Sequence, residues 1–351
     1  MRSERVRKVL DISTLAILGL AIAATAAAPA QEETNPPLRL LETISMPGVK
    51  GRLDHMDVDV QGQRLFVSGL ENGSVEVVDL QAGKWLRRIS GFKKPQGIAY
   101  VAALNKFFVA SGDDGMVRIF RADTFALLNS IQLELGPNRV AYDPHRRLLY
   151  VGYGGKDAGK DYGEVGIIDA VKDEKVAAVP VAAHPAELLL NQSGDTLFVL
   201  IPAASEVQVI DTKKRQVVVT WAVSSRRPGD AAFDESAKRL FLGTHVPPQM
   251  IGMNTATGKE VASLPTMDGM DGVYFDSKRS RVYVSGGRGV DVGFVYIYQQ
   301  NDPDHYTQIA TISTKSGAGT SFWSPELDRY YVAAPANNRD DAAILVYQAR
   351  P

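Results

Sequence analysis

One short aromatic-centred run recurs along this chain and leaves little freedom in what it can fold into. "LFV" at Phe66 is followed by "FFV" at Phe108, "LYV" at Tyr150, "LFV" at Phe198, "LFL" at Phe241, "VYV" at Tyr283 and "YYV" at Tyr331. The steps between the aromatics are 42, 42, 48, 43, 42 and 48 residues. A fixed period of this length marks a repeat architecture in which each unit is too small to bury its own core. Seven residues before the aromatics stand Asp59, Val101, Asp143, Asn191, Asp234, Asp276 and Ser324. Asp, Asn and Ser side chains bond to nearby backbone and so favour tight turns. Just before these come Val58, Tyr100, Tyr142, Leu190, Phe233, Phe275 and Trp323, bulky in every copy.

Each unit therefore reads as a first strand, a turn and a second strand rich in aromatic and β-branched residues. Turns such as "ENGS" and "GDDG" supply hairpin geometry and lead to a third, alternating strand, "SVEVVD" or "EVQVID". A polar turn and a fourth strand follow, as in "KWLRRIS". Four antiparallel strands at a period near 42 describe a propeller blade, so the fold class is all-β, a seven-bladed β-propeller. The seventh unit ends after its third strand, "AILVYQ". The run "LRLLETISM", Leu38 to Met46, has fourth-strand character, and pairing it into the last blade would close the ring and remove an open sheet edge.

The repeats "RLFVSGLENGSVEVVDLQAGK", "TLFVLIPAASEVQVIDTKKRQ" and "RVYVSGG" resemble those of YVTN-repeat propellers, the YncE-like exported group. The resemblance covers residues 37 to 351 and rests on structural-repeat positions. It implies a seven-bladed fold and leaves function open among binding proteins, lactonases, quinoprotein dehydrogenase subunits and single-stranded DNA binders.

Outside the repeats, residues 1–30 read as a secretory signal. Arg2, Arg5, Arg7 and Lys8 precede the apolar run "TLAILGLAIAATAAA", and Ala28–Ala30 form an A-x-A cleavage site. Residues 31–36 read as a linker, and 37–351 as one propeller domain. Without the signal the chain carries 35 Lys+Arg against 38 Asp+Glu, a net charge of −3. A mildly acidic chain argues against nucleic acid as a partner. No apolar run after the signal is long enough to span a membrane. Cysteine is absent, so no disulfide or thiolate site exists. The expected location is periplasmic or secreted, and the expected partner is a small ligand or another exported protein.

Insertions single out one face. From the second-strand aromatic to the end of the third strand, four blades use 13 residues, whereas blades three, six and seven use 19, 16 and 17. All the extra residues fall between strands two and three, on the face where first strands begin, and one-sided insertions mark a binding face. The loops "GGKDAGKDYGE", "GGRGVDVGF" and "APANNRDDAA" contribute Arg288, Asn337 and Arg339 as candidate ligand contacts. The starts of the first strands add Asp54, His55, Asn138, Arg139, Glu187, Asp230 and Asp271, with Arg227 just upstream and His245 in the blade-five loop. If the chain is an enzyme, Asp54, His55, Glu187 and Asp271 are the acid/base candidates for lactonase- or hydrolase-type chemistry.

No cofactor or metal is expected. His55, His184 and His245 could ligate an ion only if the ring brought blade one to blades four and five, and paired-histidine motifs are missing. "GGKDAGKD", Gly154 to Asp161, approaches a phosphate loop, but Asp161 replaces its hydroxyl and no helix follows. In "GRLDHMDVD", Asp59 holds the repeated turn position and reads as scaffold. Asp57 stands where other blades have Ala99, Ala141 and Ala232, an oddity whose readiest use is a hydrogen bond between blades. Only Asp54 and His55 of that cluster fall at the channel mouth. The leading expectation is a non-enzymatic exported scaffold binding on the inserted-loop face.

Overall fold

A computed structural model describes residues 35–351; the segment read as a signal peptide and most of the linker lie outside the described residues. Seven four-stranded antiparallel sheets follow one another along the chain. Blade one comprises Met56–Asp59, Arg64–Gly69, Ser74–Asp79 and Lys84–Ser90, and the next five blades repeat that order. The last sheet takes three strands from the C-terminal region and its fourth from Leu38–Met46, which pairs antiparallel with Ala342–Ala349. First strands of successive blades touch one another, and Ser321–Ser324 of blade seven meets Met56–Asp59 of blade one, so the ring is closed.

The closing strand is a true fourth strand, not a loose appendage. In every blade the pairing of strands three and four slips by one residue at the same register, between Val77 and Val78 in blade one and between Val209 and Ile210 in blade four. Leu38–Met46 carries the same irregularity, between Leu40 and Glu42. A bulge at this point adds twist to the outer half of each sheet, as the propeller shape requires.

The turn residues behave as the repeat predicts. Asp59 Oδ1 accepts the Gly62 amide at 2.8 Å, Asp143 Oδ1 that of His145 at 2.8 Å, and Asp276 Oδ1 that of Lys278 at 3.0 Å. Arginines clamp the same carboxylates and reach into the next blade: Arg279 Nη1 lies 2.8 Å from Asp276 and 2.7 Å from Asp328. All seven repeat aromatics are buried. They belong to apolar clusters that each bridge two neighbouring blades, such as Phe66 with Phe107 and Ile98 between blades one and two. No blade has a core of its own, so each depends on its neighbours for burial.

Asp57 is the exception along the inner strands. Its Oδ2 accepts the Tyr100 amide of blade two at 2.6 Å and its Oδ1 the Val58 amide at 2.8 Å, so it does bond between blades. Burial pushes this carboxyl up to about 6, against the pull of those two amides.

Candidate functional site

Two cavities lie along the ring axis. The first strands of all seven blades enclose a channel of about 400 Å³, lined mainly by apolar and aromatic side chains such as Ile98, Leu189, Phe233, Tyr274 and Phe322. Above it, on the inserted-loop face, is a polar mouth of about 200 Å³. His55 lines both cavities.

Between the cavities lies a belt of ion pairs. Arg139, at the start of the blade-three inner strand, donates from Nε to Glu187 Oε1 at 2.6 Å and from Nη2 to Asp230 Oδ1 at 2.7 Å, with a further short contact from Nη2 to Glu187 Oε2. Arg52 Nη2 bridges Asp271 Oδ2 at 3.0 Å and Asp54 Oδ1 at 3.3 Å. Thr320 of blade seven completes the belt, its hydroxyl donating to Asp271 Oδ2 at 2.9 Å. Three blades thus share Arg139 and three share the Arg52–Asp271–Thr320 chain. The first set joins consecutive blades, whereas the second spans the point where blade seven meets blade one.

The polar groups of the mouth are not all satisfied. His55 Nδ1 lies 3.2 Å from Asp54 Oδ1. His55 Nε2, Asp54 Oδ2 and Arg52 Nε are buried and have no hydrogen-bond partner among the described residues. Buried polar atoms are almost always paired, so three in one cluster facing a cavity is a departure that calls for a reason.

The electrostatics are equally uneven. Burial acts to raise Asp54, but the His55 ring, Arg52 and Arg139 outweigh it and hold the carboxyl at about 2. Asp230 and Asp271 end above the ordinary carboxylate range. Burial raises both and their guanidinium partners offset it only in part; Glu187 adds to the rise at Asp230, and Asp54 and Asp230 add at Asp271. Burial lowers His245, with Arg227 and Arg288 acting in the same direction and Asp230 opposing. Arg139 lies above its usual value because Glu187 and Asp230 overcome its burial.

Most residues expected at the mouth are there: Asp54, His55, Asn138, Arg227, Asp230, His245, Asp271 and Arg288 line it. Arg139 and Glu187 lie just below, on the channel side. Glycines let the loops lean in. A Cβ on Gly229 would sit 2.8 Å from His245 Nε2, and one on Gly269 would sit 2.2 Å from the Arg288 carbonyl oxygen. Asn337 and Arg339 do not line the mouth. Both are exposed, and Asn337 Oδ1 accepts the amides of Arg339 at 2.8 Å and Asp340 at 2.9 Å within its own loop. His184 is also elsewhere, its Nδ1 bonded to the Gly154 carbonyl at 3.0 Å, so the three histidines do not converge. Among the described residues no group of His, Asp and Glu side chains forms a metal cage.

Sequence reasoning missed Arg52. Its signal was its place two residues before Asp54, in the segment that enters blade one. A basic residue there can fold back over the mouth.

No protein-family model matches the sequence. Among solved structures, the chain is similar to a chain of Kuenenia stuttgartiensis hydrazine synthase, 19% identical with a TM-score of 0.72, covering 83% of this chain and 94% of that one. It is also similar to a chain in the crystal structure of the mitotic checkpoint complex, 13% identical with a TM-score of 0.74, covering 96% and 99% respectively. At these identities the likeness establishes the seven-bladed, WD40-like fold, and a propeller fold by itself assigns no ligand.

Proposed function

We propose that this chain is an exported propeller of the YVTN-repeat type that binds a small polar ligand at its channel mouth. The observation that carries the reading is the cluster of Arg52, Asp54 and His55, three buried polar groups left incompletely paired at the floor of an open cavity. Leaving a buried donor or acceptor unmade costs about 1–3 kcal/mol, and a ligand that supplies the missing partners recovers it on binding. The signal-like residues 1–30 and the one-sided loop insertions support the same reading. A thermal-shift screen of small polar compounds against the wild-type and His55→Ala chains tests it. Compounds that stabilise only the wild type support mouth binding; a screen in which no compound separates the two chains refutes it.

A second reading has one specific observation in its favour. With Nδ1 turned to Asp54, His55 would hold its proton there and present Nε2 to the cavity as a base, the arrangement of an oriented general base. In that case the chain is a hydrolase acting at the mouth, with Asp54 positioning His55. Turnover of an ester or lactone panel that disappears in His55→Ala favours this reading, and absence of turnover in the wild type removes it.

A further inference from the structure

The charge at the mouth is layered. The floor holds four carboxylates, Asp54, Glu187, Asp230 and Asp271, against two guanidiniums, Arg52 and Arg139. Even a protonated His55 leaves this layer negative. The lip is opposite in sign. Arg227 and Arg288 line the same cavity, are exposed, and make no ion pair or side-chain hydrogen bond among the described residues. His245 lies with them, held over Gly229. The distribution is therefore a dipole along the ring axis, with uncompensated negative charge below and unpaired cations above.

A purely anionic ligand would meet the lip well and the floor badly, and a simple cation the reverse. Desolvated charges placed against like charge oppose binding strongly, so such layers select by repulsion as well as attraction. An independent feature fixes what the floor needs. Asp54 is 99% buried (1% exposed), its Oδ2 has no donor, and it faces the cavity. A carboxylate oxygen accepts only, so it needs an N–H or O–H from the ligand.

We infer that the mouth takes a small zwitterion, with its ammonium on Asp54 and His55 and its carboxylate between Arg227 and Arg288. The inference rests on the mouth-binding reading above and names the ligand class for it. A cavity of about 200 Å³ limits the ligand to a few heavy atoms beyond its two charged ends. The upward displacement of Asp230 and Asp271 fits a floor oversupplied with carboxylates, since burial is reinforced there by neighbouring acids.

Isothermal titration of the full chain with a series from glycine through 4-aminobutanoate to 6-aminohexanoate tests this. Each is compared with the acid of the same length lacking the amine and the amine lacking the acid. One member should bind about tenfold or more tighter than either singly charged analogue, the difference expected for one charge-assisted hydrogen bond. The Arg227→Gln/Arg288→Gln double variant should reduce that member to the affinity of the plain amine. Asp54→Asn should reduce it to that of the plain acid; if Asp54→Asn does not fold, the lip variant alone decides. A singly charged analogue that binds as tightly as the zwitterion overturns the inference, as does a preference that survives the lip variant. If none of the series binds while another compound stabilises the wild type but not His55→Ala, the zwitterion is refuted and mouth binding stands. If no compound of any class separates those two chains, both fall.

Discussion

Replacing Arg139 with methionine should expose how the floor of the mouth is held. The Arg139 side chain is 16% exposed, and its partners Glu187 and Asp230 are 3% and 11% exposed. Methionine fills much of the same space but leaves two carboxyl groups in the belt without their shared cation. Removing one partner of a buried pair destabilises by about 3–5 kcal/mol, because the charge left behind has lost both water and counterion. That is a large part of the roughly 5–15 kcal/mol that holds a folded domain. The loss should also depend on pH. Asp230 already lies above its ordinary value through burial, and losing Arg139 removes the positive charge that pulls it down. A carboxyl raised in the folded state contributes stability below its unfolded pKa and loses it as pH rises through the folded one. The variant should therefore be closest to wild type near pH 4 and furthest from it above pH 7. Urea unfolding of both chains across that range measures this. Adding Glu187→Gln and Asp230→Asn to Arg139→Met should recover much of the deficit. A loss under about 1 kcal/mol at pH 7.5, or a deficit that does not change with pH, would show that the belt is solvated and not held by Arg139.

Three further perturbations separate scaffold from site. Asp57, raised to about 6 from 3.8, should cost the wild type roughly 2.4 kcal/mol as pH rises from 4 to 7, a slope that Asp57→Ala removes in paired unfolding curves; equal slopes would show Asp57 to be solvated. Deleting Leu38–Met46 withdraws the buried side chains Leu38, Ile44 and Met46, worth about 2 kcal/mol each, and opens a sheet edge, so Tm should fall sharply; an unchanged melting curve contradicts the closure. Gly229→Ala places a methyl 2.8 Å from His245 Nε2, the movable end of a side chain, so ligand affinity should drop several-fold with little change in Tm. Unaltered affinity would take His245 out of the lip.

The fold was legible because seven copies of one pattern report on each other. Asp59 alone is ambiguous, but beside Asp143, Asp234 and Asp276 it reads as a turn, and its bond to the Gly62 amide is the turn. The bulge shared by all fourth strands was not legible, since a one-residue slip leaves no composition signal in strands as variable as "KWLRRIS" and "LRLLETISM". At the mouth, Asp54, His55 and Asp271 could be placed by counting back from the turn, because strand register fixes where a strand begins. Loops have no such register. Asn337 and Arg339 belong to an inserted loop on the right face, yet Asn337 spends its side chain on its own loop amides. Arg52 lies one step before the countable strand, and its reach to Asp271, 219 residues away in sequence, exists only once the ring has closed.

On the reading proposed here, a ligand sits on the incompletely paired floor of the mouth. A crystal structure of the full chain grown with the tightest compound from the screen tests it most directly. Ligand density is expected at the mouth within hydrogen-bonding distance of Asp54 Oδ2 or His55 Nε2. A mouth that holds only solvent, with the compound seated in the aromatic channel, would contradict it.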